Sequence, residues 1–188
     1  ADNSRPGSIR VGELLAARRS DHIRSPAKTA EKFDANADGW NGIPGRADYL
    51  HHRWMRRFVA RFAPKASHER ILDFGCGAGW VGIEACLHQE AKQLRFFDPS
   101  PEMVRISTDN ALAAGIEDAS GMTGFGEEPP YPQPDEGPFD LVLSSGVLSF
   151  ARDLDAWYRG LAKTVAPGGT LVLGDLNLRS FGMRRRRS

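Results

Sequence analysis

With 188 residues, 40% of them hydrophobic and 26% charged, the chain suits one domain with a real core and is too short for two comfortable ones. A net charge of +1 hides an uneven distribution: residues 1–65 hold 13 Lys/Arg against 7 Asp/Glu, residues 66–178 hold 7 against 17, and the last ten residues add five arginines and no acid. An acidic body behind a basic leading segment excludes a nucleic-acid footprint over the body of the chain. No window approaches the roughly eighteen continuous apolar residues of a membrane span, and the N-terminus lacks the apolar core of a secretory signal. Cys76 and Cys86 make neither a disulfide framework nor a metal spacing, so no metal is expected and a cytoplasmic setting is.

Residues 1–45 are polar and broken by "RPGS", "RSPAK" and "DGWNGIPG", with short helices predicted around Ile9 to Arg19 and Ala27 to Ala35. From Arg46 to Phe62, the residues Tyr49, Leu50, Trp54, Phe58 and Phe62 fall mostly at helical spacing, and Pro64 stops the helix. The rhythm then becomes strand, turn, helix, repeated. "RILDF" reads as a buried strand and Gly79 to Gln89 as the helix after it. "QLRFFD" is the second strand, followed by a helix with Ser100 as N-cap, Pro101 at the first position and Gly115 at the end. A weak third strand falls in "ASGMTGFG", and "FDLVLSS" is a clear fourth. A helix over Leu154 to Val165 sets Leu154, Trp157, Leu161 and Val165 on one face; "APGG" breaks it and "TLVLGDL" is the fifth strand. Near-continuous apolar strands between helices imply a doubly wound α/β fold with a mainly parallel sheet.

Four glycines in "ILDFGCGAGWVG" lie where the first strand gives way to a helix, at the ligand edge of such a sheet. Gly77, Gly79 and Gly82 spell the G-x-G-x-x-G of a dinucleotide site. That trio begins three residues after the strand, whereas Gly75, Gly77 and Gly79 abut it and stand beside Asp73. A carboxylate there disfavours a pyrophosphate and favours a cation. Asp98, at the end of the second strand, supplies an acid for ribose hydroxyls in either reading.

These residues resemble the class I S-adenosylmethionine-dependent methyltransferases. "ILDFGCGAG" is similar to the family's first motif, "RFFDPSPEMV" to its second, and the run from "GPFDLVLSSG" to "TLVLGDLN" to the fourth-strand-to-fifth-strand region of the small-molecule subgroup. The likeness spans residues 65–178, in order. It implies an S-adenosylmethionine-binding α/β domain over 65–178, an N-terminal helical lid over 1–64 and a basic tail over 179–188. It also implies in-line transfer of a methyl group to a small-molecule acceptor. Asp73, Gly75, Gly77 and Gly79 are then expected near the methionine and ribose, Asp98 on the ribose diol and Pro99 against the adenine. Ser144, with Ser145, ends the fourth strand near the methyl.

Two departures stand out. Phe125 occupies the position where the subgroup carries an acid for the adenine amino group, leaving Phe125, Gly126 and Glu127 as the contacts of that stretch. The implied fold continues through another helix and an antiparallel hairpin that "NLRSFGMRRRRS" does not supply, so a C-terminally incomplete chain is expected. An unfinished sheet edge would invite a second copy of the chain. Residues 33–54, with Phe33, Trp40, Tyr49, His51 and His52, are the expected cover of the site. Tyr49, His51 and His52 are its candidate bases; adjacent histidines on a helix face different ways, so at most one serves a given pocket. Trp54, Trp157 and Tyr158 read as core aromatics, Cys76 as a buried filler, and the "RRRR" run as a solvated tail. Two rival functions remain on these residues: a nucleotide-dependent oxidoreductase, from Gly77-x-Gly79-x-x-Gly82, and a non-catalytic S-adenosylmethionine-binding scaffold, from Phe125 and the missing strands.

Overall fold

The computed structural model describes residues 26–41, 56–66, 68–132 and 137–175. Five strands, β1 (Arg70–Phe74), β2 (Gln93–Asp98), β3 (Ala119–Thr123), β4 (Phe139–Ser145) and β5 (Val165–Gly174), pair in parallel in the order β3-β2-β1-β4-β5. The helices are α1 (Pro26–Asp34), α2 (Ala37–Asn41), α3 (Trp80–Gln89), α4 (Pro101–Ala113) and α5 (Leu154–Thr164), with a 3-10 turn at Leu148–Phe150. The chain steps outward from β1 to β2 and β3, then returns to β4 on the other side. That reversal opens a crevice at the carboxyl ends of β1 and β4, where ligands of such sheets bind.

Alternation along the strands sends side chains into two apolar layers. Ile71, Leu94, Phe96, Leu141, Leu143 and Val172 meet Val81, Ile83, Ala85 and Cys86 of α3 on one face. Leu72, Phe74, Phe97, Phe139 and Val142 meet Trp157 and Leu161 of α5 on the other. The same alternation carries Asp73 toward α3 and Ser144 toward the α5 face. Ser100 caps α4 by accepting from the Met103 N–H at 3.1 Å, as its position before Pro101 predicts. Asp153 caps α5 in the same way through Ala156 N at 3.0 Å.

Several expectations are corrected. "DGWNGIPG" reads as a breaker, yet Ala37–Asn41 is a helical turn within which Ala37 is buried. "APGG" does not form a loop: β5 starts at Val165 directly after α5, and a register shift opposite Phe139/Leu141 absorbs the irregularity. β3 is a short edge strand with no fully buried residue, which is why its apolar signal is weak. Tyr158 is 41% exposed, whereas Trp157 is buried as expected. The predicted helix around Ile9 to Arg19, Trp54 and the arginine tail lie outside the described residues.

The largest correction concerns the helix ahead of β1. Residues 56–60 are helical, but Phe58 and Phe62 face solvent at 70% and 66% exposure, their rings paired at 5.8 Å. The buried face is Val59, Ala60 and Ala63. Close approach explains the choice: a Cβ on Gly174 would come within 2.3 Å of Val59 Cγ2, so only small residues fit there. Arg57 and Arg61 hold the orientation by donating to Glu84 of α3 at 3.2 and 2.8 Å. Val59→Ala should therefore cost about 1–3 kcal/mol of stability in urea titration, and Phe58→Ala less than about 0.5 kcal/mol. The reverse ranking would return the aromatic face to the core.

Candidate functional site

The segment from Gly75 to Gly79 carries the chain from β1 into α3 across the carboxyl edge of the sheet. The N–H groups of Gly75 and Cys76 donate to Phe97 O of β2 at 2.7 and 3.1 Å, pinning the turn against the neighbouring strand. Gly79 adopts φ +83 as it enters α3, and a Cβ there would meet Ser107 Cβ at 2.7 Å. Gly77 also has positive φ, at +50, but among the described residues a Cβ on it would meet nothing within 4 Å. Among these residues the Gly77 backbone is bare on its outer side, whereas the glycine at 79 lets α4 pack close.

Gly82 plays a different part. A Cβ there would come 2.9 Å from Asp73 Cβ and 3.0 Å from Leu94 Cδ1, so glycine lets α3 press onto β1 and β2. It lies in the first turn of α3, where its part is close packing of the helix onto the sheet.

Two carboxylates are buried at this edge. Asp73, 1% exposed, accepts the Gly82 N–H at 2.8 Å. Burial, opposed by the Gly82 bond, aided by the Asp98 charge and countered a little by Arg56, leaves its pKa pushed up to about 7. Asp98, 7% exposed, accepts from Gly77 N at 2.9 Å on one oxygen and from Ser100 N at 3.0 Å on the other. Its pKa is pushed up to about 6, again mainly by burial, with a smaller contribution from Asp34. An ionised carboxylate has about four lone-pair sites, so Asp98 retains acceptor capacity beyond its two backbone bonds. Burial pushes the Cys76 thiol up, and its Sγ lies 3.6 Å from Ser107 Oγ, consistent with a filler.

The other predicted residues distribute as follows. Pro99 is half-buried between Asp98 and the α4 cap. Ser144 donates to Phe74 O at 2.7 Å and is 3% exposed, so its hydroxyl ties β4 to the end of β1. Phe125 and Gly126 follow β3 and are half-buried; a Cβ on Gly126 would strike Trp157 and Phe74. Glu127 accepts from Arg152 N through its carboxylate, bracing that loop against the start of α5. Tyr49, His51 and His52 lie outside the described residues.

Sequence reasoning missed Asp34, Arg56 and the second bond of Ser100. The Ser100 hydroxyl, besides capping α4, donates to the carboxylate of Asp34, the last residue of α1. Phe33 packs edge-on to Phe150, centroids 5.2 Å apart, and tilted against Trp40 at 5.6 Å. With Ala37 these side chains close over Ala78, Met103 and Ile106. The α1–α2 pair therefore reaches from the start of α4 to the loop after β4. Arg56 donates to Trp40 O at 3.3 Å. Helical periodicity could have flagged Asp34 only as one more polar residue in "EKFDAN".

Residues 47–187 match the model of a methyltransferase domain family. The chain is 33% identical over 114 residues to ajmaline N-methyltransferase of Rauvolfia serpentina, covering 58% of this chain and 37% of that protein. It is 30% identical over 150 residues to ubiquinone biosynthesis O-methyltransferase of Xanthomonas campestris, covering 78% and 60%. It is 30% identical over 159 residues to the biotin biosynthesis bifunctional protein BioCD of Bordetella avium, covering 81% and 31%. The chain thus spans less than two thirds of the length of these relatives. Among solved structures, the [4+2]-cyclase SpnF shares the fold at a TM-score of 0.65 and 19% identity, covering 85% of this chain and 63% of SpnF. A second, titled as a complex of the Haloferax volcanii Trm112 methyltransferase activator with a methyltransferase, gives a TM-score of 0.61 at 22% identity, covering 75% and 58%. The parallel sheet, the glycine turn after β1 and the match over residues 47–187 together make this chain a member of the class I methyltransferase family.

Proposed function

We propose that the domain binds S-adenosylmethionine and transfers its methyl group to a small-molecule acceptor. The observation that carries this reading is the pairing of the bare Gly77 backbone with two buried carboxylates, Asp73 and Asp98, at one edge of the sheet. The donor set fits the cofactor. Asp98 would take the ribose diol on the lone pairs its backbone bonds leave open. Asp73, buried and far above its ordinary pKa, is a carboxylate that a cationic ligand would relieve. Pro99 and Phe125 would flank the adenine, with Gly126 allowing the loop to lie flat on Trp157. The buried carboxylates of Asp73 and Asp98 beside the turn disfavour a pyrophosphate.

When bound, the cofactor supplies an already activated methyl carbon on sulfur. The chain's own task is then orientation and exclusion of water. The turn from Gly75 to Gly79, fixed to Phe97 O, holds one side of the site, and α1–α2 cover the other with Phe33 and Trp40. Where the acceptor is a hydroxyl or an acidic carbon, a base is needed, and Tyr49, His51 and His52 are the candidates. The relatives' names, ajmaline N-methyltransferase and ubiquinone biosynthesis O-methyltransferase, favour a small organic acceptor. The two cysteines are free and buried, as a cytoplasmic setting suits.

Among the described residues no helix is long and apolar enough to cross a membrane, and no cluster of His, Cys, Asp or Glu is arranged to hold a metal ion.

Asp98→Ala should weaken binding of S-adenosylhomocysteine by about 1–3 kcal/mol in calorimetric titration, through the lost charge-assisted bonds. NAD should give no binding heat with either protein. Unchanged affinity in a variant that keeps its circular dichroism would put the ribose elsewhere.

The raised pKa values also set a pH dependence. Between the ordinary 3.8 and the folded values of about 7 and about 6, native Asp73 and Asp98 hold protons that the unfolded chain has lost. Stability from these groups is therefore greatest at low pH and falls as pH rises through that window. Glu84 and Asp118, whose pKa values are lowered, act in the opposite direction but only below their ordinary values. The melting temperature of ligand-free protein should fall from about pH 5 to about pH 7.5, and S-adenosylmethionine should flatten the fall. A melting temperature that climbs across that range would contradict the assignment.

A further inference from the structure

Asp34 stands at the junction of two parts of the molecule that are far apart in sequence. It ends α1, and its carboxylate accepts from the Ser100 hydroxyl and, at 3.3 Å, from Glu102 N in the first turn of α4. Ser100 is fully buried. Its hydroxyl both donates to Asp34 and accepts from Met103 N, while its own N–H donates to Asp98. Asp98 in turn accepts from Gly77 N. An unbroken hydrogen-bonded path thus runs Asp34, Ser100, Asp98, Gly77, from the N-terminal helices to the glycine turn. A negative charge at this end of α4 is also favoured by the helix dipole. The apolar contacts of α1–α2 reinforce it, because Phe33, Ala37 and Trp40 pack on Met103 and Ile106 of the same helix. Neither the family motifs nor the proposed cofactor contacts include Asp34.

We propose that Asp34 is a positioning residue: by holding Ser100 it latches α1 and α2 onto the carboxyl edge of the sheet, coupling the seating of these helices to the orientation of Asp98. The cofactor consequence rests on the reading of Asp98 as the ribose acceptor; the latch itself does not. A side chain that loses the latch frees the Ser100 hydroxyl to rotate and leaves the Glu102 N–H to water. The N-terminal helices then lose their polar tie to the start of α4, and the backbone at Ser100, whose N–H Asp98 accepts, is held less firmly. Asp34 is exposed, on the wall of an open recess of about 230 Å3, so replacing it removes no packed volume from the core.

The test compares Asp34→Ala, which removes the acceptor, with Asp34→Asn, which keeps an acceptor oxygen and removes the charge. Hydrogen exchange on the ligand-free proteins, read by mass spectrometry, should show peptides over 26–41 and 98–103 exchanging about fivefold faster or more in Asp34→Ala, the loss typical of a removed helix cap. Peptides of β1 and β4 should not change. Asp34→Asn should retain most of the protection. The dissociation constant for S-adenosylhomocysteine should rise by a similar factor in Asp34→Ala. Unchanged exchange over 98–103, or loosened helices with unaltered cofactor affinity, would overturn the coupling. Protection lost equally from β1 and β4 would make Asp34 a general stabiliser and overturn it too. Failure of the unsubstituted protein to bind S-adenosylhomocysteine would instead overturn the cofactor reading, with the exchange comparison still deciding the latch.

Discussion

The carboxylate of Asp98 takes the Gly77 N–H on one oxygen and the Ser100 N–H on the other, and so joins the turn after β1 to the start of α4 across the top of β2. Both bonds are made by a side chain that is 7% exposed, where a carboxylate without partners would be costly. Two neutral N–H donors only partly offset that cost, which is why the pKa remains raised. The geometry of the edge depends on this group. It orients the open face of Gly77, fixes the cap of α4, and through Ser100 reaches the N-terminal helices. Asp73 repeats the arrangement one strand away, with Gly82 as its donor. The protein therefore holds two incompletely compensated acids at the edge where the proposed cofactor, a cation bearing a diol, would sit.

That arrangement separates binding from stability. Residues that make a tight core here, such as Leu72, Phe74 and Leu141, lie within the sheet layers. The groups at the carboxyl edge are polar, buried and strained relative to their free forms. Their cost falls on the ligand-free protein and would be recovered when a ligand of the right charge arrives. Preorganisation of this kind suits methyl transfer, in which an activated carbon needs alignment more than chemical assistance.

Much of this was legible in the letters. Strands β1, β2 and β4 are near-continuous apolar runs bounded by turns, and Ser100-Pro101 announces its helix. Asp73, rather than the glycine spacing, favours Gly75, Gly77 and Gly79 over the dinucleotide reading, and the close packing of Gly82 on Asp73 is compatible with either spacing. What periodicity could not give was the side chosen by residues 56–62, where room for Val59 against Gly174 outweighed the hydrophobicity of Phe58 and Phe62. Nor could it give the bond from Asp34 to Ser100, made across 66 positions, because a polar residue ending a helix carries no local mark of its partner. The place of Ser144 at the end of β4 points toward the acceptor, whereas its hydroxyl donates to Phe74 O. Strand ends announce position, not the direction of a hydrogen bond.

The claim that the carboxyl edge holds acids awaiting a cation is tested most directly by counting protons on binding. S-adenosylmethionine should be titrated into the protein near about pH 6.5, between the raised pKa values, in two buffers of different ionisation heat. Hydrogen bonds and positive charge from the ligand favour the ionised carboxylates, so the account predicts net release of protons, reduced in Asp98→Ala. Binding with no proton exchange, or with uptake, would contradict it.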